Sequence, residues 1–269
     1  MWLCFNTIKI LRLLPNSLYQ IKSKIMRLLS VILLCFKITF CFAQQKQFEV
    51  TYKKTFLINF DEKNKAKNSP EKNKALGILE KVNKELENKE FKLWFNDEVS
   101  CFKEIKKMNL ENKSDMFSMI AKGPGLTEGV FFTDKKLKQL IQQKTFDSKK
   151  YIIYYTIDNL IWKMTKESKR IDNYIAYKAT TTRKRVTRSG LKDETITVWY
   201  TTEIPTSFGP AGFNNLPGLI LEIQLGKLSL YASKIEFNKE IDIHSLKPNK
   251  GKKISKEDFI KLELKQIKN

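Results

Sequence analysis

The sequence predicts a mainly β fold, a curved antiparallel sheet or half-barrel with one inserted helix and a short C-terminal helix. Three observations predict it. Apolar and polar residues alternate over much of the chain, turn residues separate the alternating runs, and helical spacing is confined to two stretches. The first run sets the pattern: Phe48, Val50, Tyr52, Phe56, Ile58 and Phe60 share one face of a strand, broken only at Lys54.

The other elements follow in order. Residues 61–74, DEKNKAKNSPEKNK, are a low-complexity polar tract and read as a loop. Ala75, Leu76, Leu79, Val82 and Leu86 recur at helical spacing to about Asn88. Phe91, Leu93 and Phe95 alternate with Lys92 and Trp94, and Asn96 and Asp97 turn the chain toward Val99–Phe102. Residues 151–157 (YIIYYTI) are apolar on both faces and read as a central strand. Shorter strands are read at Ile161–Met164 and Tyr174–Thr182. Thr195–Thr202 places Ile196, Val198 and Tyr200 on one face and Trp199 on the other. Leu219–Leu225 and Leu228–Phe237 form a hairpin around Gly226 and Lys227. Ser255 is a good N-cap, with Glu257 and Asp258 in the first turn ahead of Phe259, Ile260, Leu262 and Leu264.

The N-terminus reads as an export signal. Lys22, Lys24 and Arg27 precede the apolar run 28–36, and Cys41 and Ala43 are small residues at cleavage-site spacing. Residues 1–43 are therefore a signal-peptide region and 44–269 one β-rich domain, located in the periplasm or at the outer-membrane periphery. Met26 is the more ordinary start for such a signal, and a retained N-terminal anchor is the alternative. Cys101 is then the one remaining cysteine, so the exported chain has no partner for an internal disulfide.

Charge excludes less than it suggests. The full chain has 50 basic and 29 acidic residues. The first 43 residues hold six of the bases and no acids, so export leaves a net charge of about +15. Nearly all the bases are lysines scattered among asparagines and isoleucines, a compositional bias rather than a patch, and nucleic acid is not an expected partner.

No constellation specifies a reaction. His244 is the single histidine, in a turn, and with one cysteine it excludes a His- or Cys-based zinc site. No catalytic residue, metal or cofactor is assigned. Glu203 and Glu222 flank a turn-rich loop, and paired acids could hydrolyse glycans without histidine. Arginine is the informative cation, because composition does not supply it. Arg183, Arg185 and Arg188 lie in a hairpin with Ser189 and Gly190 at its tip, as an anion contact or as an edge-protecting basic hairpin.

The loop itself reads FGPAGFNNLPGLILEIQL over residues 208–225. Its Asn215–Ile220 hexapeptide, preceded by Trp199–Pro205 and by Phe208, Gly209 and Pro210, resembles the signature of the GLPGLI family of secreted proteins. Asn215 stands where the first glycine would be, and Ala176 where a cysteine is often seen. The resemblance implies an envelope protein working beside outer-membrane receptors or transporters, with no catalytic residues to carry over. The expected docking surface is Trp199, Tyr200, Pro205, Phe208, Gly209, Pro210, Phe213, Leu216, Pro217, Gly218, Leu219 and Ile220. The expected function is a non-catalytic binding or accessory protein for an apolar ligand or an envelope protein, with a lipid or lipoprotein carrier and a carboxylate-dependent glycan hydrolase as alternatives.

Overall fold

The computed structural model describes residues 24–30, 47–57, 70–106, 126–157, 160–187 and 189–268. The cleavage point after Ala43, the tract 61–69, Ile58, Phe60 and Arg188 lie outside them. The chain divides into two compact units, Met1–Gln45 and Lys46–Asn269. In the first, residues 24–30 are helical. Among the described residues no helix is long and apolar enough to cross a membrane, a statement about helices only.

In the second unit twelve strands form one open, mixed sheet. β1 (Phe48–Phe56), β2 (Glu90–Phe95), β3 (Val99–Ile105), β4 (Val130–Asp134), β5 (Gln139–Phe146) and β6 (Lys149–Thr156) are an antiparallel meander. A second meander runs through β7 (Lys163–Ile171), β8 (Tyr174–Thr187), β9 (Gly190–Thr201), β10 (Leu219–Leu225) and β11 (Leu228–Phe237). β11 pairs with β1 and joins the two halves. β12 (Lys252–Ser255) runs parallel to β6, so the sheet is mixed where alternation alone predicts an antiparallel one.

Connectivity forces the sheet to curl. β6 and β7 are ten strand steps apart in the sheet order, about 48 Å if the sheet were flat. The chain between Thr156 and Lys163 spans at most about 25 Å, so the two walls must face each other. Register shifts between Thr51 and Tyr52, Met164 and Ser168, and Ile220 and Glu222 supply local twist. The concave faces share one core: Tyr52, Leu93 and Phe102 from the first meander meet Ile196, Val198, Leu219 and Leu230 from the second. Each fully buried aliphatic side chain there contributes about 1.5–3 kcal/mol.

The break in alternation at Lys54 is itself buried, 2% exposed. Its ammonium lies 5.6 Å from the Phe91 ring centroid. Its pKa is pushed down to about 8, first by burial and then by Lys89, with Glu104 opposing.

Separate elements cover other apolar faces. α1 (Pro70–Glu87) packs Val82 and Leu86 near Phe56. Asn83 from α1 accepts the Phe56 N–H at 2.7 Å and donates to its carbonyl at 3.1 Å, replacing a strand neighbour. The helix starts five residues before its apolar stripe, at Pro70, whose fixed φ suits a first helical turn. Ile243 from the segment after β11 packs with Trp94, Cys101 and Phe132. α2 (Lys256–Lys268) sets Phe259 on Tyr151 and Phe146 at ring distances of 5.5 and 5.3 Å. Ser255 caps α2 as read from the sequence: its Oγ accepts the Asp258 N–H at 3.1 Å.

Candidate functional site

The β9–β10 loop, residues 202–218, crosses the concave side instead of standing out from it. A 3-10 turn at Pro210–Gly212 reaches the opposite wall at β3 and β4. Phe208, Phe213 and Leu216 are 4%, 4% and 3% exposed and belong to the main core. Backbone bonds fold the loop on itself, from Asn215 N to Ser207 O at 2.9 Å and from Leu219 N to Ile204 O at 3.0 Å. Side chains tie it outward. The Tyr52 hydroxyl donates to Ile220 O at 2.6 Å, Trp162 Nε1 to Asn214 O at 2.7 Å, and Asn215 Nδ2 to Ile157 O at 3.1 Å. Gly218 is required by contact: a Cβ there would lie 1.9 Å from the Thr201 carbonyl oxygen.

This placement sorts the sequence-read surface. Tyr200, Phe208, Gly209, Pro210, Phe213, Leu216, Gly218, Leu219 and Ile220 are buried, Trp199 is half-buried, and Pro205 and Pro217 are exposed. Asn215, at φ +68°, is exposed and adopts the left-handed backbone that asparagine tolerates. The exposed prolines, with Thr206 and Ser207, form one side of an open cleft of about 390 Å³. Phe48, Phe95, Asn96, Asp97 and Lys135 form the other side. The Phe48 and Phe95 rings stack in parallel at 4.8 Å.

The aromatic residues do not share one open face. Trp94 is 5% exposed and donates to Glu49 Oε2 at 2.6 Å. Trp199 lies under the Lys169 ammonium, 4.3 Å from its ring centroid, and its buried Nε1 has no acceptor among the described residues.

Glu203 and Glu222 hold structural positions. Glu203 is exposed, and its Oε1 accepts the Ile175 N–H at 2.8 Å. Glu222 accepts from Lys169 Nζ at 2.6 Å, Gln224 Nε2 at 2.8 Å and Ser229 Oγ at 3.0 Å. Burial alone would raise the Glu222 pKa. Hydrogen bonds from Lys169, Gln224 and Ser229, with the Lys169 charge, hold it below the ordinary carboxylate range. His244 is exposed on a 3-10 turn. Cys101 is a buried free thiol pushed up to about 12 by burial, against the pull of Lys103. It is inert by that measure.

The arginine hairpin is built differently. Arg183 and Arg185, two apart on β8, face the same way, and Glu194 lies directly across from Arg183 on β9. Glu194 Oε2 takes Arg183 Nε at 3.0 Å and a terminal nitrogen at 2.9 Å, and its Oε1 lies 3.0 Å from Arg185 Nε. Both arginines line a second groove of about 390 Å³ between β8, β5, β6 and α2. Lys144, Lys256, Gln142 and Tyr155 join them there, and none of these was singled out by sequence. No spacing could reveal them, because the curl alone brings β5 and α2 to β8.

The comparisons fit these two regions. The family described as "Protein of unknown function (Porph_ging)" matches residues 184–222, from the arginine hairpin through the loop to Glu222. No curated protein matches. Among solved structures, similarity at the level of the fold is found at a TM-score of 0.50. The chain is 17% identical to "Structure of PNGF-II in C2 space group", with a TM-score of 0.50, covering 82% of this chain and 33% of that one. For "Structure of PNGF-II in P21 space group" the identity is 18%, the TM-score 0.48, and the coverage 82% and 34%. This chain thus spans about a third of their length.

Proposed function

We propose that the protein is an exported, non-catalytic binding or accessory module of the GLPGLI kind, which holds a segment of an envelope protein partner in the cleft beside the 202–218 loop. One observation carries this reading. The loop turns its large apolar side chains inward and leaves Pro205, Thr206, Ser207 and Pro217 as a wall of an open cleft, opposite the stacked Phe48 and Phe95. A cleft of mixed lining, with half-buried Phe48, two exposed prolines, and exposed Asp97 and Lys135 at its margin, suits an extended peptide with one apolar anchor and a charged neighbour. The export reading rests on the basic and apolar run at residues 22–36.

The carrier alternative has less support, because Phe208, Phe213 and Leu216 fill the concave space that an acyl chain would need. The hydrolase alternative needs a carboxylic acid whose pKa is raised, and Glu222 is shifted the other way. A photo-crosslinking residue at Thr206, in living cells, is expected to capture one envelope protein, and capture should fall when Asp97 and Lys135 are both replaced by alanine. The same residue at Lys163 on β7 serves as the control. Equal capture from both sites, or capture indifferent to the double replacement, would sink the reading.

A further inference from the structure

We propose that the groove between β8 and α2 is a separate binding site for an amphipathic anion, a phosphate head group carrying an apolar chain. Five cationic side chains line it with two carboxylates, Glu128 and Glu263, while Lys184 is paired with Asp193 at 2.7 Å and Glu194 stands between the two arginines. Their states differ. Lys144 is committed to the fold: its ammonium lies 2.9 Å from Glu263 and 3.6 Å from Glu128, over the Phe259 ring at 4.7 Å. Lys256 instead sits over the Tyr155 ring at 5.3 Å, with no carboxylate within ion-pair distance among the described residues. Arg183 and Arg185 are held in one direction by Glu194, which leaves further N–H donors on each guanidinium for a ligand. Arg185 keeps 45% of its side chain exposed.

Beside these cations the groove also carries an apolar wall. Val186 contributes from β8, Ile260 and Ile267 from α2, and Ile267 is 41% exposed. A purely inorganic anion would leave that wall wet, and a neutral apolar ligand would leave Lys256 and the remaining N–H donors of the arginines unanswered. One molecule satisfies both: its head accepts from Arg183, Arg185 and Lys256 while its chain lies along α2. This site is distinct from the cleft at the loop, so either proposal can fail without the other.

Isothermal titration of the purified exported chain with dodecyl phosphate, inorganic phosphate and dodecyl maltoside, all below micelle formation, tests it. Dodecyl phosphate is expected to bind tightest, with affinity falling as salt rises. Lys256→Gln and Arg185→Gln should each weaken it by about tenfold, the loss of one charge-assisted hydrogen bond. Lys163→Gln on β7, which changes net charge equally, should leave it unchanged. Thermal melts of each variant establish that it is folded. Equal effects from all three variants would reduce the binding to general charge and overturn the site. Equal affinity for inorganic phosphate, or for dodecyl maltoside, would overturn the amphipathic assignment.

Discussion

Two segments stand out in the sequence for their turn residues and unusual composition, and the structure uses them in opposite ways. The 202–218 loop is fixed by contact: its aromatic residues are buried, its Asn214 carbonyl accepts from the distant Trp162, and Gly218 lies against Thr201. The β8–β9 hairpin is fixed by charge and backbone angle, with Glu194 between two arginines and Gly190 at φ +101° in open space. Packing resists substitution because a dense interior has nowhere to move. Partly exposed ion pairs contribute less than such packing, because water still competes for the arginines.

That contrast can be broken at several points. The largest effect is expected from Phe213→Ala, a loss of about 3–5 kcal/mol of stability in urea unfolding. A loss below about 1 kcal/mol would mean that the loop is not a packed part of the core. Gly218→Ala should cost about 3 kcal/mol, since its methyl group meets backbone that no rotamer change can clear. Tyr52→Phe removes the donor to Ile220 O, and about 1–2 kcal/mol is expected from the buried carbonyl left behind. Gly190→Ala tests the hairpin through angle alone. About 1 kcal/mol is expected from the positive φ, and a cost as large as that of Gly218→Ala would erase the distinction. The smallest effect belongs to Glu194→Gln, at about 0.5 kcal/mol or less. Its difference from the wild type should disappear in 1 M salt, with the Debye length near 3 Å; persistence would place the pair with the packed contacts instead.

Much of this was legible in sequence, for identifiable reasons. The Ser255 cap, the α2 stripe and the β10–β11 hairpin follow from local rules that act within a few residues. The loop reads from sequence as a docking surface that includes Phe208 and Phe213, and the structure turns both inward. Alternation names the residues that share a face without saying which face is concave. The start of α1 was missed because Pro70–Lys74 carries no apolar stripe, only a proline fitted to a first turn. The parallel pairing of β12 was missed because four residues have too little pattern to report a neighbour.

By itself, the sequence determined the class of fold, the identity of most strands, both helices of the β-rich unit and the residues that stand out: the loop, the arginine hairpin and Cys101. Each depends on neighbours within a turn or a strand, where sterics and side-chain period act directly. The tertiary structure decided the rest. The curl brings β5 and α2 to β8, sends the loop to the far wall and joins Tyr52 to Ile220 across 168 positions. Such contacts depend on how many strands intervene and on how short the β6–β7 connection is, and neither is encoded in the residues that finally meet.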